Sequence, residues 1–383
     1  MTHSRVIAIV LAVFACVTTP RVRSESAFAW NLPHGFPMPR VPGDNPMTAA
    51  KVALGRYLFY DTRLSGNGQQ ACATCHEQAR AFTDGRARAV GSTGERHPRS
   101  SMSLANVGYQ SVLTWANPTV TRLEDQALVP MFGDHPIELG LTRGADALIA
   151  RLRTLPLYQR LFTSAFGDHD AMTVVNITRA LASFERTLIS GRSPYDRYHF
   201  DRDDAAISSA AKRGEQLFFR QPLSCGRCHK GFTLSGAAEF EGRREREPEF
   251  HNIGLYNLAG IFSYPEADSG LYDVTKNPGD VGRFKAPTLR NVAVTAPYMH
   301  DGSIATLDEV LGHYAAGGRT ITDGPQRGVG RDNPNKNPIV RGFALSDDQR
   351  RDLIAFLETL TDDALLHDPS LSNPWPSGRE DAR

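Results

Sequence analysis

No stretch of this 383-residue chain reaches 18 uninterrupted apolar residues, which excludes a protein built from several membrane spans. Neither sign of charge is in excess: 43 Lys and Arg stand against 42 Asp and Glu, a formal net charge of +1. Without a basic stripe to neutralise phosphates, nucleic acid is not an expected partner. Tryptophan numbers three, cysteine five and methionine seven, so each of these residues can be weighed individually. Apolar matter is not lacking. At 40% hydrophobic and 22% charged residues the composition is that of a globular protein rather than a disordered one. Glycine (33) and proline (24) are plentiful and point to helices separated by long, ordered loops.

Near the N-terminus, Arg5 precedes the apolar run Val6 to Val17, 12 residues that are too few to span a bilayer comfortably. The run reads as the core of a signal peptide occupying residues 1–29, with cleavage after Ala27-Phe28-Ala29. A second reading takes Val13-Phe14-Ala15-Cys16 as a lipobox with Cys16 as a lipid anchor. Under either reading Cys16 is not a thiol of the folded domain. The mature chain is then expected in an exported, periplasmic space, with no transmembrane segment.

The other four cysteines form two copies of one pattern, Cys72-Ala73-Thr74-Cys75-His76 and Cys225-Gly226-Arg227-Cys228-His229. Both are C-x-x-C-H, the attachment signature of c-type haem. Two thiols at i and i+3 add to the two vinyl groups of one porphyrin, and the adjacent histidine reaches the iron from the proximal face. In a chain of this composition one accidental match is expected in roughly two per thousand sequences, so two together are highly specific. A shared zinc site would place its second pair roughly 15 to 20 residues on, whereas Cys75 and Cys225 are 150 positions apart. A redox disulfide has no use for a histidine after each pair. The sequence therefore predicts two covalently bound haem c groups.

The two sites sit in a weak internal repeat. Gly55-Arg56-Tyr57-Leu58-Phe59 precedes the first, and Gly214-Glu215-Gln216-Leu217-Phe218 precedes the second. The surrounding period is helical: Val174, Ile177, Leu181, Phe184 and Leu188 share one face. Thr306 with Glu309 and Ser346 with Gln349 form capping boxes for two further helices, the first stopped by Gly317-Gly318. No run alternates well enough to propose a large sheet. The expected fold is mainly α: two cytochrome c-like domains, residues 30–199 and 200–366, with long loops, followed by a polar tail over 367–383.

What faces the second side of each iron decides between electron transfer and small-molecule chemistry. In the C-terminal half the candidates are Met299, the last thioether in the chain, together with His251, His300, His313, Tyr298 and Tyr314. Tyr314 follows Leu307, Val310 and Leu311 at helical spacing, so its ring is expected on the interior face, as a core residue or as a ligand. In the N-terminal half Gln126 and Glu138 flank a Pro-punctuated segment, where Glu138 could move a proton between two peroxide oxygens. Alternatively Glu138 favours the N-terminus of the helix beginning near Gly144, and Met131 competes as a sixth ligand. Trp30 lies at the expected mature N-terminus and Trp375 in the polar tail, leaving Trp115 as the tryptophan of the body of the fold.

The stretches ACATCHEQARAFTDG, TRLEDQALVPMFGDHPIELG, SCGRCHKG, EFHNIGL and GRFKAPTLRNVAVTAPYMHDGSIATLDEVLGHYAAGG resemble the bacterial di-haem cytochrome c peroxidase superfamily, and within it the MauG-type branch. LTWANPTVTRLEDQALVPMFG is similar to MbnH-type di-haem enzymes, which are associated with copper-binding partner proteins. The resemblance implies that Glu138 is the distal acid of a peroxidatic N-terminal haem, with Gln126 and Pro130 as its pocket neighbours and Trp115 as the inter-haem tryptophan. Tyr314 would occupy an axial position on the second haem that is methionine in the peroxidases proper. Thr295 and Pro297 match carbonyl ligands of a calcium ion, but Ser100 stands where the family's calcium-binding asparagine falls.

The function so implied is a hydrogen peroxide-dependent oxidoreductase that forms a bis-ferryl state and oxidises a tryptophan on a small exported, copper-binding partner by long-range electron transfer. Two alternatives remain at this point. One is a peroxidase fed by a small cytochrome or cupredoxin, and the other is a non-enzymatic di-haem electron carrier.

Overall fold

A computed structural model describes residues 28–376, except 143, 168–169, 237, 244–248 and 261–262. The expected signal peptide core and Cys16 lie outside the described residues. Among the described residues no helix is long and apolar enough to cross a membrane. The regular structure of the described residues is mostly helical, and the strands among them amount to two antiparallel two-residue ladders, Phe250–His251 with Phe284–Lys285 and Thr320–Ile321 with Gly328–Val329.

Five helices carry the architecture. Helix α1 (Ala49–Phe59) crosses α2 (Val174–Glu185), and α3 (Ser209–Phe219) crosses α5 (Asp347–Glu358), while α4 (Leu307–Ala316) leans on α5. The glycines of the sequence repeat explain the crossings. A Cβ on Gly55 would lie 1.9 Å from the Ala180 carbonyl oxygen, and one on Gly214 would lie 1.9 Å from that of Asp352. Only a residue without a side chain lets these backbones approach so closely. The phenylalanines that end each repeat then meet their partners, Phe59 with Phe184 at 5.2 Å and Phe218 with Phe356 at 5.3 Å between centroids.

Each crossing seeds its own apolar core. The first gathers Leu54, Leu58, Phe59, Ile177, Leu181 and Phe184, and the second Tyr195, Phe218, Leu311, Leu353 and Phe356. The predicted face of α2 is buried at Ile177, Leu181 and Phe184. Both capping boxes form, and Gly317 ends α4 in the left-handed region. A third core of Leu255, Tyr256, Tyr264, Phe284 and Ile304 has Trp115 and Met299 packed against it.

The chain changes sides earlier than residue 200 and later returns. The short helix Pro194–His199 places Tyr195 in the second core. Beyond α5, Leu365, Leu371 and Trp375 pack into the first core, and Arg56 donates to the carbonyls of Ser372 and Pro369. Trp375 of the polar tail is thus tied to the first core. Its indole N–H donates to the Tyr57 carbonyl at 3.2 Å, and the Arg63 guanidinium lies 4.6 Å from its ring centre.

Candidate functional site

The second C-x-x-C-H motif opens onto a cavity of about 410 Å³. Its wall carries Cys225, Cys228 and His229 from the motif, Leu307, Val310, Leu311 and Tyr314 from α4, Phe284 from its short strand, and Trp115, Thr295, Pro297, Met299 and His300 from loops. The periodicity of α4 thus delivers Tyr314 to the same space as His229. Burial, with Cys228 and Cys225 nearby, pushes the Tyr314 hydroxyl far above its ordinary range. Only a directly bonded cation would hold it as phenolate at neutral pH.

Of the other candidates, Met299, His300, His251 and Tyr298 also line the cavity. His313 is not among its lining residues and has its Nε2 3.1 Å from the Ile253 carbonyl.

The proximal histidines are aimed alike. His76 Nδ1 donates to the Phe82 carbonyl at 2.8 Å, and His229 Nδ1 lies 3.3 and 3.1 Å from the carbonyls of Leu234 and Pro287. Phe82 and Leu234 both have positive φ, 62° and 49°, an unfavourable conformation for large side chains that turns their carbonyls inward. With Nδ1 committed, Nε2 is left for a metal. Burial lowers both histidines, His229 to about 4, and keeps the imidazoles neutral as ligation requires.

At the first site Cys72 packs against the first core. Gln126 ends the turn Leu123–Gln126, and Pro130 lies one turn further along a nearly continuous helical path, in Leu128–Phe132. The loop carrying Glu138 is clamped from both sides. Leu139 N–H donates to the Pro130 carbonyl at 2.8 Å, Leu141 N–H to that of Met131 at 2.9 Å, and Ser92 N–H to that of Glu138 at 2.7 Å. Burial raises the Glu138 carboxyl to about 7, and its charge is felt by both Cys72 and Cys75.

The alternative role of Glu138 at a helix start finds no support. That helix, Ala145–Arg153, has Asp146 in its first turn, whereas the Glu138 carboxylate sits 3.8 Å from His97 Nε2. His97 escaped the sequence reading, because its only signal is spatial. Its Nδ1 accepts the Arg99 N–H at 3.1 Å, so the ring proton sits on Nε2, the nitrogen 3.8 Å from the Glu138 carboxylate. Met131 is 1% exposed in the first core.

Trp115 belongs to the second cavity but reaches toward the first site. Its indole N–H donates to the Ser100 carbonyl at 2.9 Å, and one residue on, the Ser101 carbonyl accepts the hydroxyl of Thr83, the neighbour of Phe82, at 2.6 Å. Ser100 also donates its hydroxyl to the Met299 carbonyl at 3.3 Å.

The residues fit haem c. All four thiols are free, each pair is followed by an oriented histidine, and the second set opens on a mainly apolar cavity. Beside the first set, the buried oxygens Asp84 Oδ2 and Glu185 Oε2 have no partner among the described residues.

Comparison with known proteins gives a consistent picture. The family described as di-haem cytochrome c peroxidase matches residues 49–205. A cytochrome-c peroxidase of Denitromonas iodatirespirans is 36% identical over 96% of each chain. The methylamine utilization protein MauG of Methylorubrum extorquens is 35% identical over 86% of this chain and 82% of its own. A crystal structure of a MauG-like protein associated with microbial copper homeostasis superposes with a TM-score of 0.88 and 45% identity, covering 91% of this chain and all of that one. With two oriented C-x-x-C-H motifs and these relatives along nearly its whole length, the chain belongs to the di-haem cytochrome c peroxidase family, haem-dependent oxidoreductases that include MauG.

Proposed function

We propose that this protein uses hydrogen peroxide to oxidise a tryptophan on a separate protein by long-range electron transfer, in the manner of MauG rather than of a peroxide scavenger. The observation that carries this reading is the shared cavity of His229 and Tyr314. Haem c, held by Cys72, Cys75 and His76 in one half and by Cys225, Cys228, His229 and Tyr314 in the other, supplies peroxide cleavage and storage of oxidising equivalents. An anionic phenolate favours a highly oxidised metal more than a thioether does.

The protein's own groups do the rest. Glu138 carries a proton from one peroxide oxygen to the other, with the Gln126 amide and Pro130 shaping the pocket. His97 holds the Glu138 carboxylate in place. Trp115 relays an oxidising equivalent between the two sites.

The partner is a small exported protein in the periplasm, delivered there like this chain by a signal peptide over residues 1–29. Its copper-binding character is supported by the copper-homeostasis association of the 45% identical relative. A calcium ion held by the Thr295 and Pro297 carbonyls, with water in place of an asparagine at Ser100, completes the reading. An unchanged spectrum and activity after chelation would remove that ion.

A second reading, peroxide reduction with electrons from a small cytochrome or cupredoxin, is favoured by Met299, a thioether on the same cavity wall. One experiment separates them. Under the first reading Tyr314→Phe alters the spectrum of the second haem and abolishes oxidation of the partner tryptophan, seen as an oxygen mass increment. Under the second it changes neither, and Met299→Ala alters the spectrum instead.

A further inference from the structure

Beneath the wall of the second cavity lies a run of aromatic rings that the peroxide chemistry leaves unused. His300 and Phe284, both on the wall, stack with centroids 3.7 Å apart and planes within 14°. The Tyr264 ring lies 6.0 Å from each of them. Tyr256 meets Tyr264 edge-on at 5.3 Å, and its hydroxyl donates to Asp301 Oδ2. Tyr256 and Tyr264 are 3% and 4% exposed, and Trp115 packs against the same cluster.

Oxidation makes a phenol strongly acidic, so a buried tyrosine gives up an electron readily only where its proton has somewhere to go. A carboxylate already bonded to the hydroxyl provides that acceptor without any motion. Asp301 is suited to the role. His300 and the Tyr256 and Ser303 hydrogen bonds outweigh its burial and hold its carboxyl below the ordinary range, and its Oδ1 accepts the Ser303 N–H at 3.1 Å.

We propose that Tyr256, with Asp301 as its proton acceptor, is an internal electron donor to the second haem site and drains surplus oxidising equivalents when no partner is docked. The inference rests on the peroxide-driven reading above. One electron leaves Tyr256 and passes by Tyr264 and the Phe284–His300 stack to the oxidised site, which is reduced by one equivalent. The Tyr256 O–H bond breaks, an O–H bond forms on Asp301 Oδ2, and a neutral tyrosyl radical remains. Hydrogen peroxide is the oxidant; a later electron from a small soluble one-electron reductant such as ascorbate, together with the proton held on Asp301, restores the Tyr256 O–H bond. A protein that stores strongly oxidising equivalents while awaiting a partner needs such a release, because otherwise its own oxidisable side chains are consumed.

The test uses the holoprotein without partner, mixed with hydrogen peroxide, freeze-quenched and followed by electron paramagnetic resonance and optical absorption. The expected result is an organic radical whose signal narrows when tyrosine is ring-deuterated. It should be lost in Tyr256→Phe and form more slowly in Asp301→Asn. Tyr158→Phe is the control, because Tyr158 makes the same kind of bond to Asp61 at 2.5 Å but in the first core, and its signal should persist. An optical response to peroxide without a tyrosyl signal, or with one unchanged in Tyr256→Phe or lost in Tyr158→Phe, overturns the inference and leaves the proposed function standing. No optical response in the wild-type protein overturns both.

Discussion

In the first half of the molecule Gly55 lets α1 settle on Ala180, and in the second Gly214 lets α3 settle on Asp352. Each crossing is followed by a C-x-x-C-H turn and by a left-handed residue, Phe82 or Leu234, whose carbonyl faces the proximal histidine. The halves part company in the other groups that each brings near its motif. The first offers a clamped carboxylate, Glu138, with an imidazole beside it, and the second offers a tyrosine on a helix. Under the proposed function the shared part holds a cofactor, and the divergent part decides what is done with it. A polar group that carries a proton suits bond cleavage, whereas a group that bonds the metal suits storage of charge.

The largest effect that should break this asymmetry is Glu138→Gln. It is expected to slow the reaction with peroxide by about 10²- to 10⁴-fold, measured by stopped-flow absorption, and to leave the second haem's resting spectrum unchanged. An equal disturbance of both spectra would contradict the division of labour. Next, Gly55→Ala and Gly214→Ala should each cost about 3 kcal/mol, since a new Cβ meets a backbone carbonyl in each case and the neighbouring helix must move. Denaturant unfolding followed by the spectra of the two haems would show whether each glycine secures only its own half.

A smaller effect is the pH dependence of peroxide cleavage. The carboxyl of Glu138 is raised to about 7 by burial, so its basic form grows as pH rises toward 7. The rate should climb about tenfold per unit below that point and flatten above it. Glu138→Gln should flatten the profile throughout, and His97→Ala should shift its midpoint, because that imidazole is 3.8 Å away. Smallest is Thr306→Ala, which removes the hydroxyl that accepts the Glu309 N–H at 3.2 Å and should cost about 1 kcal/mol. If it weakened peroxide cleavage rather than the second haem's ligation, α4 would not belong to the storage site.

What could be foreseen from the sequence was local. The two motifs, the capping boxes of α4 and α5 and the apolar stripe of α2 each lie within a few turns of chain, where spacing alone carries the information. The inward placement of Tyr314 followed from its helix. The pairing of His97 with Glu138 could not be foreseen, because they lie 41 positions apart and the clamped loop that carries Glu138 sets its place. Trp375 was hidden for the same reason. A polar, proline-rich context marks a tail, yet Tyr57 and Tyr158 in the first core stand edge-on to its indole. Nor did residue types announce the left-handed Phe82 and Leu234, since neither side chain favours that region.

The return of Leu365, Leu371 and Trp375 to the first core has a consequence for how the protein is made. The half synthesised first is closed by residues synthesised after the second half. During synthesis, therefore, the site around Cys72 stays unsealed until residues 365–375 have emerged, by which time the second motif is also accessible. Haem attachment at the two sites need not follow the order of the sequence, and a chain ending at residue 362 would lose part of its older half while keeping α5 of the younger one.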